Sequence, residues 1–416
     1  MAGVEKNSNI EFHFSSKLRN IALGLFLIGL FLTILQIIFP WHSAHHHGGD
    51  HHGNPRLFYS LHLAFLVFLP ITLGSIFFVS VHHLSGAAWS VTIRRLAETH
   101  FWFMPVMLVF LILILGLGID QVFHHWVHAP ETDKLVKHKS PWLNVPFFIG
   151  RNIVVFIIWI IFGWYLWKLS VQQDHDGKFE HTPTLAKISA GFAVVFGLTI
   201  STTSWDLSMS IEPHWFSTIW AVYIFAGVLL SSFSAMAIWV YFLKKAGYYG
   251  DTLTENHIHD VGKYIWGSSI FWAYIGIASQ FLLIWYGHIP EETIFYNTRI
   301  YNDDMSHNPW ALVSLSLIFI RFVLPFFLLI RRDSKRNFGW LAAVSGLVLF
   351  GQIWDMYWVL YPTLDHGHFV MISWQEIGSL LLFTGLYILV IGYALTKSKL
   401  IPINDPRLEE CLHGHH

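Results

Sequence analysis

Ten stretches of this chain are apolar for about 20 residues each, and that repetition decides what the chain can fold into. They run approximately over 21–39, 58–82, 100–120, 147–169, 185–206, 215–243, 262–288, 309–330, 338–361 and 375–396. At about 1.5 Å per residue, a helix of about 20 residues crosses the ~30 Å hydrocarbon core of a bilayer. Backbone groups in lipid must bond to one another, so helices and closed barrels are the two solutions. A barrel would show short strands of alternating polarity, and none is visible. The sequence therefore predicts an all-α integral membrane protein. Charged residues make up only 12% of 416 positions, against about 25% in soluble domains. Counts of 36 Phe and 20 Trp fit aromatic belts at membrane interfaces.

The expected organisation is a polar N-terminal segment, 1–20, a ten-helix membrane domain, 21–396, and a polar tail, 397–416. The first segment shows no signal-peptide cleavage pattern, so the first apolar run reads as a retained helix. Hydropathy allows helices 2–5 and 6–9 to form two four-helix bundles flanked by helices 1 and 10. With both termini cytoplasmic, 18 of the 25 Lys and Arg residues fall on the inner side and 6 on the outer, with Arg321 inside a helix. That bias supports the orientation. The longest outer segment is QVFHHWVHAPETDKLVKHKSPWLNVP, residues 121–146. The loop HHHGGDHHG, residues 45–53, is either a transition-metal ligand set or a solvated loop. The single cysteine, Cys411, excludes a disulfide within the chain, a Cys-ligated iron–sulfur cluster and a covalently attached haem. A b-type haem needs two His at one depth on facing helices, and His62 has no evident partner.

Ionisable groups at membrane depth are costly and usually functional. In GQIWDMYWVLYP, residues 351–362, Asp355 stands inside such a run, and Arg321 stands inside the preceding one. Counting from the basic end of helix 8 puts Arg321 about 15 Å above the inner face and Asp355 about 25 Å above it. The expected offset of about 10 Å leaves a gap for a water or Tyr357 to bridge. The pair is either a protonatable relay or a structural clamp between two helices. Asp120, Asp206, Glu212, His214, Glu291 and Glu292 gather on the outer side, as a proton exit or as wetted helix ends. Glu98, His100, Glu255, His257, His259, Asp260 and Lys263 lie on the inner side, as proton entry groups or ordinary interfacial residues. Tyr223, Tyr274, Ser279 and Gln280 are candidate relay groups or packing. The proton path expected from these residues comprises Asp120, Asp206, Arg321, Asp355, Asp260 and His259.

Three segments, WDLSMSIEPHWFSTIWAVYIFAG, FWAYIGIASQFLLIWYGHIPEET and INDPRLEECLHGHH, resemble the F subunits of bacterial alternative complex III. Those assemblies are quinol:cytochrome c oxidoreductases, and the resemblance covers essentially the whole chain. F subunits are similar to NrfD or polysulfide-reductase-type membrane anchors, which have two four-helix bundles. The resemblance implies a bacterial inner membrane and menaquinol or ubiquinol as reductant. It implies, as partners, an NrfD-like sister membrane subunit, a multihaem cytochrome c, an iron–sulfur subunit, a second cytochrome c and small membrane subunits. Haems and iron–sulfur clusters belong to those partners. The resemblance also implies surrounding lipids and no nucleic acid, and it leaves open whether a terminal oxidase joins the assembly.

Three functions follow as expectations. The chain is a proton-conducting subunit beside quinol oxidation in the sister subunit, a direct quinone-binding subunit, or a structural anchor. An independent solute transporter is a fourth class. Such folds often carry interrupted helices at mid-membrane, whereas Pro and Gly here sit mostly at helix ends, with Pro70 and Pro325 as exceptions.

Overall fold

The computed structural model describes residues 10–40, 54–302, 306–365 and 367–413. The histidine loop at 45–53 lies outside them. Ten described helices are long and apolar enough to cross a membrane: α1 Ser16–Ile38, α2 Pro55–Leu84, α3 Ala88–Leu117, α4 Val145–Asp176, α5 His181–Ile211, α6 Trp220–Lys245, α7 Glu255–Tyr286, α8 Trp310–Leu329, α9 Phe338–Thr363 and α10 Trp374–Leu395. The all-α membrane architecture follows directly.

Local chemistry sets the helix ends. Asn54 caps α2 ahead of Pro55, and Asn144 caps α4 ahead of Pro146, each side chain accepting from a backbone N–H of the first turn. Ser373 and Glu376 form a reciprocal capping box at α10. Gly177, at φ +65°, ends α4 in the left-handed conformation that glycine adopts without strain.

α2, α3, α4 and α5 pack as one ring of four helices, and α6, α7, α8 and α9 as another. α2 also packs on α6 and α9, so it belongs to both bundles and to the interface between them. Its most apolar stretch is 89% buried, against 22% for α1 and α4. α1 and α10 pair along their length, and α10 attaches the pair to α2. Their approach is close because a side chain at Gly29 would overlap the backbone of Leu382, and one at Gly385 the backbone of Phe26.

Both termini lie on one face, where Leu400 N–H donates to Ile10 O at 2.8 Å. α3 begins at Ala88, twelve residues before the expected start. Its first turns carry Arg94, Arg95 and Glu98, which lower the hydropathy but are all buried against other side chains. Arg94 and Arg95 are thus helix residues in ion pairs rather than loop charges. Nor is the tail a wetted segment. Leu400, Ile401 and Cys411 are buried, and Asp405 pairs with Arg94 and Arg407. Burial pushes the Asp405 carboxyl up, but Arg94 and Arg407 outweigh it and hold the group below the usual carboxylate range.

The expectation of regular helices at mid-membrane is corrected in two places. α7 is a π-helix from Tyr274 to Tyr286, and α8 contains a π turn at Phe319–Val323. Neither begins at a proline. Such insertions re-aim side chains and concentrate at functional sites.

Two outcomes test this packing. Burial raises the Cys411 thiol above its usual range, so a membrane-permeant maleimide at pH 7.5 should label it slowly in the native protein and fully after unfolding in denaturant. Gly385→Leu should cost about 1–3 kcal/mol, read as a lower unfolding midpoint, whereas Gly24→Leu should be close to neutral because nothing lies within 4 Å of its Cβ position.

Candidate functional site

Asp355 occupies the interior of the second bundle, and its two oxygens have different partners. Arg321 Nη1 of α8 donates to Oδ2, and the Tyr223 hydroxyl of α6 donates to Oδ1. The side chains of Arg321 and Asp355 are 0% and 1% exposed. The face of Trp272, from α7, lies 4.8 Å from the guanidinium carbon of Arg321. A cation over an indole face is stabilised by the ring quadrupole, most strongly when water is excluded. All four helices of this bundle thus converge on one ion pair.

Space for the group comes from missing side chains. A Cβ at Gly351 would lie 2.8 Å from Arg321 Cγ, and one at Gly276 would lie 2.9 Å from the Tyr223 ring. The π turn at Phe319–Val323 presents Arg321 inward, and Ser269 Oγ donates to the Arg321 carbonyl at 2.9 Å. The expected gap between Arg321 and Asp355 does not exist: their contact is direct. The long guanidinium arm covers the offset in depth, and neither water nor Tyr357 is needed. Tyr357 instead donates to the carbonyl of Val370. Arg321 Nε and Nη2 have no acceptor among the described residues. The buried cation therefore keeps hydrogen-bonding capacity that Asp355 alone does not use.

Two cavities flank this triad. The larger, about 330 Å³, lies between α7 and α8 beneath Tyr296 and Tyr301, with Trp220, Tyr223 and Trp272 at its inner end. Its walls are aromatic and aliphatic, and Leu315 at its edge is 53% exposed on the lipid-facing side. The smaller, about 30 Å³, lies between the bundles and is lined by Asp355, Gln352, Thr203, Ser204 and Ser208 as well as apolar groups. Space of that size matches one or two waters, but its wall is almost wholly apolar. Tyr223 alone among the described residues lines both cavities. Its hydroxyl is therefore the polar connection from the large cavity to Asp355.

The other expected path residues do not join this group. Asp206 is saturated: it accepts two bonds from Arg151, at 2.7 and 2.8 Å, one from Asn152 at 2.9 Å and one from Trp142 at 3.1 Å. A carboxylate so engaged ties α4, α5 and the loop between α3 and α4. Asp120 is 65% exposed, with His128 at 3.4 Å. Asp260 lies on the termini face, paired with Lys263 at 2.6 Å, and His259 is its half-buried neighbour on the same turn. Glu212 pairs with Arg299 at 2.6 Å, and His214 with Asp133 at 2.6 Å. Glu98 lies among Arg94, Arg95 and Ser170 in the first bundle. His100 Nδ1 bonds the carbonyl of Leu96, and His62 Nε2 that of Leu207, each at 2.7 Å. Gln280 lies beneath Tyr296 and donates to Ser217 at 3.1 Å. Tyr274 is exposed, and Ser279 bonds its carbonyl at 3.1 Å.

Sequence reading named Tyr223 only as one of several relay candidates and missed Trp272 and Gln352. The signal for Gln352 was present, since it stands one turn before Asp355 in an otherwise apolar run. Trp272 carried none, because tryptophans are frequent throughout this chain. No protein-family model matches the chain, and no curated protein is significantly similar to it.

The pair predicts a specific pattern of stability. Asp355→Ala leaves Arg321 buried without its counter-ion and should cost about 3–5 kcal/mol. The double variant Asp355→Ala/Arg321→Met removes both charges and should be more stable than Asp355→Ala alone. Denaturant unfolding in mild detergent measures both, and a strictly additive double variant would remove the energetic coupling claimed for the pair.

Proposed function

We propose that this chain is a membrane subunit of a respiratory quinol:cytochrome c oxidoreductase of the alternative complex III type, and that Tyr223, Asp355 and Arg321 handle protons within it. The observation that carries the reading is the placement of a buried carboxylate between a lipid-side cavity and a second, water-sized one, with a tyrosine as the link. Arg321 ion-pairs with Asp355, and Tyr223 supplies a hydroxyl that bonds the same carboxylate. A proton arriving at Tyr223 passes to Asp355 and on to the cavity lined by Thr203, Ser204 and Ser208. Apolar residues of the same volume in place of both partners would hold the helices about as well, so stability alone does not account for the pair.

In this reading quinol oxidation and electron transfer take place with the cytochrome and iron–sulfur subunits, and the chain sits in a bacterial inner membrane with both ends in the cytoplasm. The saturated partners of Asp206 and the exposure of Asp120 leave the inter-bundle cavity as the better route away from Asp355.

A second reading, direct quinone binding, is favoured by the 330 Å³ cavity. Its size falls in the range of ring-binding pockets, about 300–1,000 Å³. Its aromatic walls suit a flat ring, its edge faces lipid, and its inner end presents the Tyr223 ring. A quinol bound there would supply the protons and electrons, and Tyr223 would be the group that orients its hydroxyl.

The test is Asp355→Asn in the assembled complex in vesicles, with cytochrome c reduction and proton release followed together. The proton reading expects near-normal electron transfer with fewer protons released per electron. Unchanged values for both would leave the anchor function. Tyr223→Phe separates the second reading. If quinol binds in the cavity, this variant should raise the KM for quinol at least several-fold; if protons alone pass, KM stays and proton release falls.

A further inference from the structure

Most polar groups in the wall of the 330 Å³ cavity are already committed within the chain. The indole N–H of Trp220 donates to Ser208 Oγ at 2.7 Å, that of Trp285 to Asn297 at 3.1 Å and that of Trp358 to Ser314 Oγ at 2.7 Å. Tyr296 donates to Gln280 at 3.3 Å, and the proton of the Tyr223 hydroxyl is directed at Asp355. The indole nitrogen of Trp272 is fully buried. Two wall groups differ. The Tyr301 hydroxyl and the His307 imidazole have no hydrogen-bond partner among the described residues, and both residues reach the surface, His307 exposed and Tyr301 half-buried.

The backbone places these two groups together. Tyr301 and His307 face each other across an antiparallel bridge. The Asn302 N–H donates to the Ser306 carbonyl and the Asn308 N–H to the Ile300 carbonyl, each at 2.9 Å. The Tyr301 and His307 rings stack with centroids 5.5 Å apart and planes at 25°. They stand at the outer end of the cavity, and Tyr223 stands at its inner end. Along α8 the wall runs from Ala311 to Ile318, about 10 Å at 1.5 Å per residue. A ring with para oxygens and a hydrogen bond at each spans about 11 Å between its two partners. Such a ring fills the cavity from end to end.

We infer that Tyr301 and His307 bind the outer oxygen of a quinol whose inner oxygen meets Tyr223. This rests on the reading in which quinol occupies the cavity, and it adds the groups that recognise the ring at the mouth. The Tyr301 hydroxyl donates to the outer oxygen, and the unprotonated nitrogen of His307 accepts from the quinol hydroxyl. Between these ends the ring lies against aromatic and aliphatic walls. Its tail leaves past Leu315, which is 53% exposed on the lipid-facing side. A ligand with no oxygen at this end would forgo both contacts.

The full-length chain in lipid nanodiscs would be titrated with a short-tailed ubiquinol, read by quenching of tryptophan fluorescence. A photoreactive azido-ubiquinone maps the site. Labelling should fall on α7 and α8 within residues 276–318. Tyr301→Phe, which keeps the ring and loses the hydroxyl, should weaken binding about three- to tenfold, as should His307→Ala. An analogue with methyl groups in place of both ring oxygens should bind the wild type and the two variants alike. If label enters the cavity but both variants bind ubiquinol as the wild type does, Tyr301 and His307 are not the recognition groups, while quinol binding there stands. If the variants lose the methyl analogue as much as ubiquinol, the two residues only shape the mouth, and the inference is overturned. Labelling confined to other helices would overturn quinol binding in this cavity and the inference with it.

Discussion

A guanidinium held away from water is the constraint on which the second bundle depends. Moving one ion of this size into an apolar interior costs several kcal/mol even after relaxation. Around Arg321 all four helices respond to that cost: a carboxylate from α9, an indole face from α7, a phenol from α6 that shares the carboxylate, and a π turn in α8 that aims the arm. Glycine at 351 and 276 is a consequence, since any side chain there would displace the arginine or the tyrosine. Remove the cation, and several local choices in four helices lose their reason.

The first bundle handles charge differently. Its buried charged groups sit at the two ends rather than the middle, each within reach of an opposite charge. Asp206 takes four hydrogen bonds near one face, while Arg94, Arg95, Glu98, Asp174 and Asp405 form a connected set near the other. Connected groups of this kind stiffen a structure. The contrast explains why the site proposed to move protons lies in the second bundle, although the first holds more charged residues.

All ten spans were legible in the sequence because hydropathy is a local property, readable along one dimension. The partners of Asp355 were legible only in part. Tyr223 is 132 positions away in the chain, and nothing local distinguishes it from a packing tyrosine. The π turn of α8 did leave a signal, since Pro325 lacks the N–H that would bond the Arg321 carbonyl, which accepts from Ser269 instead; the π segment of α7 holds no proline to mark it. Glycines 276 and 351 were visible but ambiguous, because glycine is common in membrane helices for packing reasons as well. The start of α3 was missed for the opposite reason: Arg94, Arg95 and Glu98 read as a loop when their burial partners, the end of α4 and the tail, are unknown. Asp206 could have been assigned a structural part from Arg151, which was counted as an outer charge rather than as its partner.

Helix α2 belongs to both bundles, and this limits how the molecule can work as a machine. Carriers that expose a central site alternately to each side usually rock one half against the other about a slippery interface. Here the would-be hinge is the most buried of the ten described spans, packed against both halves at once. Sliding one half would tear α2 from the other. Any change of access at Asp355 must therefore be small in scale, a rotation of the Tyr223 ring or a breath of the π segment in α7, within a scaffold that stays still.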